Sequence, residues 1–343
     1  MSLPSFFYSQ LIQKLPYPEA SFSGKTVIVT GSNVGLGKEA ARHIARLGAS
    51  NLILAVRNID KGNAAKEDIE RSTGCSKDVI KVWLLDMADY SSVTSFAARA
   101  SKELERVDVL LANAGIASFL WRTAEDNEAM ITVNVVSTFL LTMLMMPKLK
   151  DTARKYNTRP VVTITSSEVH ARTTLPAKSA PDGQIFQTLN DISKSDLTER
   201  YPVSKLLEVF GVRAIADRLP SSSFPVTIDT VNPGLCHSCV SPSPSPPGLH
   251  LLIICRELAR EGGWAFVVMK AMLARSTEYG SRTLVHAASQ GPESHGQYLS
   301  DCKIAQPSPF VTSEEGKVAQ DRVWNELVKK LEAIEPGVTG NLK

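Results

Sequence analysis

From Lys25 onward, short runs of β-branched and aliphatic residues alternate with longer stretches whose apolar positions recur at helical spacing. Thr26–Val29, Leu52–Val56, Val79–Leu85, Val107–Ala112, Pro160–Thr165 and Val226–Val231 read as strands. Their near-continuous apolar character suits parallel strands covered on both faces. Between them, Lys38–Leu47 reads as a helix closed by Gly48, and Lys61 to Arg71 as a helix stopped at Gly74. The stretch from Ser276 to Ser289 reads as a packing helix with His286 as a structural histidine, and Ser313–Leu331 as a C-terminal helix. Such regular alternation predicts a single α/β domain: a doubly wound, mostly parallel sheet with helices on both faces.

The flanks add little chemistry. Residues 1–21 form an extension in which Phe7, Leu11, Ile12 and Leu15 fall at helical spacing before Pro16 and Pro18, so a short lead helix packed on the domain is expected. That stretch lacks the basic and apolar regions of a secretory signal. The domain itself spans 22–335, with a tail at 336–343. The most apolar stretch, Val135–Pro147, is too short to span a bilayer and reads as a buried helix. A formal net charge of +3 over 343 residues leaves no electrostatic footprint for nucleic acid. Five scattered cysteines make no disulfide framework and suit a reducing, cytoplasmic setting.

The first strand runs directly into Thr30-Gly31-Ser32-Asn33-Val34-Gly35-Leu36-Gly37, and the first helix follows. In that context Gly31 permits a tight turn, Gly35 lets backbone approach a pyrophosphate, and Gly37 lets helix and strand pack closely, as in a Rossmann fold. Free N–H groups at the helix start, including that of Leu36, then face phosphate. Arg57, at the end of the second strand, with Lys61 one turn on, suits a ribose 2′-phosphate, so NADP(H) is favoured over NAD(H). Asp60 is the acidic rival there, but its place just before a helix reads as an N-cap.

Tyr201 and Lys205 lie at i and i+4 of a helix in Tyr201-Pro202-Val203-Ser204-Lys205, on one face. A phenol, with an ordinary pKa of roughly 10, is drawn towards neutrality by a fixed ammonium. The spacing therefore makes a proton-transfer device. On many helices the same pair is only a solvated face.

With the glycine loop, Asn113-Ala114-Gly115 after the fourth strand, and Tyr201-x-x-x-Lys205, the chain resembles a short-chain dehydrogenase/reductase from about Phe22 to Leu331. Arg57-Asn58, Ser166-Ser167-Glu168-Val169-His170 and Asn232-Pro233-Gly234-Leu235-Cys236-His237-Ser238 are similar to reductases of fungal secondary metabolism and to the retinol-dehydrogenase-like branch. The resemblance implies a catalytic set of Asn134, Ser167, Tyr201 and Lys205. Ser166 is the neighbouring choice, and the offset to His170 favours Ser167. It further implies that Asp86 meets the adenine, that Asn113, Ala114 and Gly115 line the cofactor, and that Pro233 and Gly234 lie near the nicotinamide. Ser238 stands where the family often has threonine. Family members often form dimers or tetramers through the helices carrying Asn134 and Tyr201.

Several features depart from that pattern. Ala171 to Arg200 is a long polar connection that reads as a surface loop near the substrate mouth. Pro202 suits a first helical turn or a kink. Cys236-His237-Ser238-Cys239 lacks a fourth ligand and makes a poor zinc site, so no metal is expected. A substrate lobe is expected over residues 236–289. Within it Cys239 to Arg256, CVSPSPSPPGLHLLIICR, matches no part of a dinucleotide fold. Without this stretch Ser238 would run into Glu257-Leu258-Ala259-Arg260, as the resembling fungal proteins continue. It reads as a retained intron or gene-model error, the rival being a genuine disordered insertion.

The expected activity is NADP(H)-dependent hydride transfer to or from a ketone or secondary alcohol of a small apolar metabolite, such as a polyketide or terpenoid intermediate. A retinol- or steroid-like dehydrogenase and a non-catalytic nucleotide-binding scaffold are the alternatives.

Overall fold

The computed structural model describes residues 3–118, 120–194, 196–237 and 273–343. In chain order the strands are β1 (Thr26–Thr30), β2 (Asn51–Val56), β3 (Ile80–Leu84), β4 (Val109–Ala112), β5 (Thr123–Ala124), β6 (Asn127–Glu128), β7 (Val161–Thr165), β8 (Thr227–Asn232), β9 (Tyr298–Ser300) and β10 (Lys303–Ala305). The main sheet runs β10-β9-β8-β7-β4-β1-β2-β3, and β5 and β6 pair apart from it. Every neighbour in it is parallel except β10, which turns back on β9. The strand order reverses between β1 and β4, and such a switch point opens a crevice at the carboxyl ends of the strands.

Among the described residues the α-helices of five residues or more are α1 (Leu3–Leu11), α2 (Gly35–Arg46), α3 (Ile59–Thr73), α4 (Tyr90–Glu103), α5 (Ser137–Tyr156), α6 (Ile185–Leu189), α7 (Leu197–Arg218), α8 (Thr277–Ala287) and α9 (Glu314–Ile334). Side chains alternate across a strand, so one strand feeds two cores. Ile28, Ile53, Leu110 and Ile228 join α4, α5, α7 and α9 on one face. Val27, Val29, Leu52, Leu54, Val109 and Leu111 join α2, α3 and α8 on the other.

The expected strands are all present, shorter by a residue or two at some ends. Other expectations change. Asn58, not Asp60, caps α3: its Oδ1 accepts the N–H of Lys61 at 2.8 Å, and Asp60 lies in the first turn. α2 begins at Gly35, ahead of Lys38, because the glycine loop itself winds into the helix. The lead helix does not bury its apolar stripe. Phe7, Leu11 and Ile12 are exposed, whereas Leu15 beyond the helix is buried along with Ser9 and Gln10. Polar anchoring explains this: Ser9 Oγ donates to Asp301 Oδ2 at 2.7 Å, and Arg275 donates to the Ser9 carbonyl at 2.6 Å.

The Ala171–Arg200 connection is not a plain surface loop. It folds into short helical turns and α6, and Leu175, Ala177, Ile185, Phe186 and Leu189 enter the main core. Pro202 lies past the first turn, inside α7, which continues unbroken to Arg218. β9 and β10 carry no strong turn dipeptide; their turn places Asp301 and Cys302 at positive φ.

The apolar helix is longer than Val135–Pro147. A segment of π-type winding, Ile131–Val136, leads into α5 and makes the run Ile131–Tyr156 long enough by composition to cross a membrane, yet 83% of its apolar window is buried in the protein. The outer sides of α5 and α7 are covered by the chain's own C-terminal segment. Val323, Trp324, Leu327 and Leu331 of α9 share their core, and Lys150 donates to the Asn341 carbonyl. The expected zinc-poor Cys236-His237-Ser238-Cys239 motif is described only as far as His237, and Ser238, Cys239 and the whole Cys239–Arg256 stretch lie outside the described residues.

Candidate active site

The carboxyl ends of β1, β4, β7 and β8 deliver the candidate residues to one edge of the sheet. At β1 the chain turns through Gly31, whose φ is +66° and whose missing Cβ would stand 2.9 Å from Ala114 Cα. A Cβ on Gly37 would come within 2.4 Å of Asn113 Nδ2, which donates to the Thr30 carbonyl at 3.0 Å. These glycines knit the loop to Asn113-Ala114-Gly115. Gly35 differs: with φ of +62°, no atom of the described residues lies within 4 Å of its Cβ position.

Val34 stands at the cap of α2 and has no side-chain oxygen to offer its first turn. The N–H groups there are therefore left for an anion. Open space above a glycine next to an uncapped helix start fits a pyrophosphate. Ser32 is fully buried and donates to the Val29 carbonyl at 2.9 Å, so its side chain shapes the loop from within. Arg57 and Lys61 are exposed beyond β2. Asp86, after β3, is half-buried and accepts the Ala88 N–H at 2.9 Å.

β4 and β7 bring the second half together. Asn134 sits in the π-type segment, fully buried. Its amide grips the backbone of Ile116 through both groups, each at 2.9 Å, and donates to Ser204 Oγ at 2.9 Å. It thereby joins the Asn113–Gly115 loop to α7. At the end of β7 the two serines separate in role. Ser166 is buried and donates to the Lys205 carbonyl at 2.9 Å, whereas Ser167 is half-exposed beside the Tyr201 phenol.

His170 holds that corner. Its Nε2 accepts the Ser308 N–H at 3.0 Å, which leaves the proton on Nδ1 to be donated to the Ser167 carbonyl at 2.7 Å. Burial lowers its pKa, in keeping with a neutral ring. β8 supplies Asn232, whose Oδ1 accepts N–H groups from both Glu168 and Gly234 at 3.1 and 3.0 Å. Gly234 has φ of +79°, and a Cβ there would meet Arg275 and the Gln10 amide at 2.7 Å. The N-terminal extension thus reaches the Pro233–Gly234 turn.

Lys205 Nζ lies 5.6 Å from the centre of the Tyr201 ring. It donates to the Thr165 carbonyl and to Glu208 Oε1, each at 2.8 Å. The expectation that Lys205 brings the phenol towards neutrality is only half met. Desolvation outweighs it and leaves the Tyr201 pKa above its ordinary value; Lys205 and Ser167 pull the other way, while Glu208 and Cys236 add to the rise. For Lys205, desolvation pulls down, but Glu208 and Tyr201 together keep it raised. Burial pushes the Glu208 carboxyl up to about 7 against the pull of Lys205 and Ser166. Burial also pushes the Cys236 thiol up to about 12, so it is neutral.

Sequence reading missed Glu208. Its signal was the Lys205/Glu208 spacing of i and i+3 on one helix face. It also missed Gln10 and Arg275 at Gly234, for which no local pattern exists.

Residues 25–177 match the short chain dehydrogenase family. Over 338 residues the chain is 61% identical to the short chain dehydrogenase/reductase dmxR8 of Cryptosporiopsis sp. (strain 8999), covering 98% of this chain and 99% of that one. It is 41% identical to the short-chain dehydrogenase anuD of Penicillium roqueforti (strain FM164), covering 98% and 85%. Among solved structures it is similar to a protein from Mycobacterium paratuberculosis, with a TM-score of 0.63, 26% identity and coverage of 92% and 96%.

Proposed function

Since the chain belongs to the short-chain dehydrogenase/reductase family, whose members bind a nicotinamide cofactor, we propose that it is an NADP(H)-dependent oxidoreductase acting on a ketone or secondary alcohol of a small apolar metabolite in a fungal secondary pathway. The observation that carries this reading is the convergence of Ser167, Tyr201 and Lys205 at the sheet edge that also holds the open glycine loop. The loop N–H groups, Asn113–Gly115, Asp86, Pro233 and Gly234 would hold the cofactor, and Arg57 with Lys61 would meet a 2′-phosphate. A bound nicotinamide supplies or accepts the hydride.

The chain's own residues manage the charge and the proton. As negative charge grows on the substrate oxygen, Ser167 donates a hydrogen bond to it and Tyr201 delivers a proton. Lys205 favours the resulting phenolate by its fixed charge, which offsets part of the desolvation that holds the phenol's pKa up. Asn134 braces the loop against α7, and in this reading it would hold a water that passes protons towards Lys205. In the reverse direction the phenolate of Tyr201 takes the alcohol proton.

Purified protein should consume NADPH with at least one carbonyl of an apolar panel. Tyr201→Phe should lower turnover by about a thousandfold, the scale of a lost general acid, while NADPH binding by fluorescence persists. Full activity in that variant would remove the proton-donor assignment. NADPH binding with no turnover on any carbonyl would leave a scaffold.

A further inference from the structure

We propose that Glu208 is a positioning residue: its carboxylate anchors the Lys205 ammonium and moderates the positive field that this ammonium exerts on the Tyr201 phenol. The inference rests on the oxidoreductase reading above for its importance, but its geometry stands apart from it.

The two side chains form a pair almost sealed from solvent, 5% and 2% exposed, with Nζ and Oε1 at 2.8 Å. An ammonium has three protons to give. One goes to Glu208 and one to the Thr165 carbonyl, both at 2.8 Å, so a single N–H is left to serve the site. These two acceptors stop the flexible lysine stem from wandering. Gly115 keeps the space beside it clear, for a Cβ there would stand 3.5 Å from Nζ and 3.3 Å from Asn134 Oδ1.

Anchoring alone would not need a charge, since the Thr165 carbonyl already does it neutrally. Burying a carboxylate is expensive, and an apolar pair of the same volume is often as stable as a buried ion pair. A charge kept at such a cost next to a reacting phenol changes the field there. Lys205 paired with an ionised carboxylate presents little net charge to Tyr201. Paired with a neutral carboxyl it presents a full positive charge, and the phenolate is favoured. Burial raises the carboxyl above its ordinary range, so its charge, and with it the field on the phenol, answers to pH.

Among the described residues, the groups facing this cluster are few. Tyr201 shares the helix; the Ser166 and Ser167 hydroxyls come from the end of β7; Cys236 comes from the turn after β8; Asn134 faces it from the π-type segment. On the turn packed against α7, His170 is held neutral by burial, and the Glu168 carboxyl is raised by burial.

Glu208→Gln keeps the shape and an oxygen for Lys205 but removes the charge. In cofactor-free protein, tyrosinate absorbance would be titrated with pH as the difference between each protein and its Tyr201→Phe counterpart. The phenol is expected to ionise at lower pH in Glu208→Gln than in the wild type. With NADP present, the pH profile for alcohol oxidation should move to lower pH in the same variant, with kcat changing and the cofactor Kd held. Unchanged phenol titration in folded Glu208→Gln would overturn the proposal. If that variant fails to fold, Glu208→Met is read in the same way. The absorbance titration needs no turnover, so a protein that reduces no carbonyl refutes the oxidoreductase reading without touching this result.

Discussion

The proposed phosphate end and the proposed proton end of this site are built in opposite ways. Around Gly35 the construction is subtractive: a missing side chain, an uncapped helix start and open space, with Arg57 and Lys61 exposed beyond. Around Tyr201 it is additive. Asn134, Ser166, Lys205 and Glu208 are all buried and tied to one another or to backbone, and their charges are set by burial and by each other. The first region can be built by a short contiguous motif. The second needs four distant segments to meet, so its properties are collective.

The sharpest way to break that contrast is to remove one member of the buried pair. Lys205→Ala should leave Glu208 buried without its cation and lower stability by about 3–5 kcal/mol. The loss should be greatest above pH 7 and shrink below it, because the Glu208 carboxyl can then take up a proton. Urea unfolding at pH 6 and pH 8.5 would measure this, and a pH-independent loss would contradict it. Removing both charges together, Lys205→Met with Glu208→Met, should recover most of the stability.

At the phosphate end two glycine substitutions should behave differently. Gly37→Ala forces a Cβ to within 2.7 Å of the Gly31 carbonyl and closer still to Asn113, which should cost about 1–3 kcal/mol as overpacking. Among the described residues Gly35→Ala meets no neighbour and should cost only the left-handed backbone strain, roughly 1–2 kcal/mol. Thermal melts would rank the two; cofactor titration should show weakened binding in both. A Gly35→Ala variant that binds cofactor normally would undo the reading of the open space.

Arg57→Ala touches neither half of the scaffold. It should weaken NADPH binding by about tenfold, the loss of a charge-assisted contact, and barely alter NADH binding. Equal effects on the two would contradict the phosphate role.

A separate expected change lies away from the site, on β8. Burial pushes the Asp229 carboxyl up to about 8, although Ser294 donates to it at 2.8 Å. A raised carboxyl favours the fold in its protonated form. Its contribution is complete below the unfolded value near 3.8 and is lost as pH rises through about 8. Asp229→Asn cannot ionise, so the Tm of the variant relative to wild type should climb from pH 4 to pH 8 and then level off. A constant difference across that range would show that Asp229 stays ionised.

Much of the architecture was legible in the chain. Val27 to Val29 and Leu52 to Val56 are so uniformly apolar that only a strand buried on both faces accommodates them. The glycine spacing located the turn from β1 into α2 because backbone conformation is a local property. Local rules misplaced the α3 cap at Asp60: the helix already starts at Ile59, so Asp60 falls inside its first turn and Asn58, two residues earlier, accepts the Lys61 N–H. They also placed the lead helix with its apolar face inward, whereas distant Arg275 and Asp301 hold its polar side.

Sequence by itself determined the doubly wound alternation, the glycine loop and the Tyr201/Lys205 spacing, because each rests on periodicity or backbone freedom within a few residues. The tertiary structure set Ser167, the serine the resemblance already favoured, beside the phenol, and it alone brought Glu208 into the charge balance. Desolvation and Coulomb interaction depend on what surrounds a group in space. Residues from β4, β7, β8 and α7 share that space only after the sheet has closed around them.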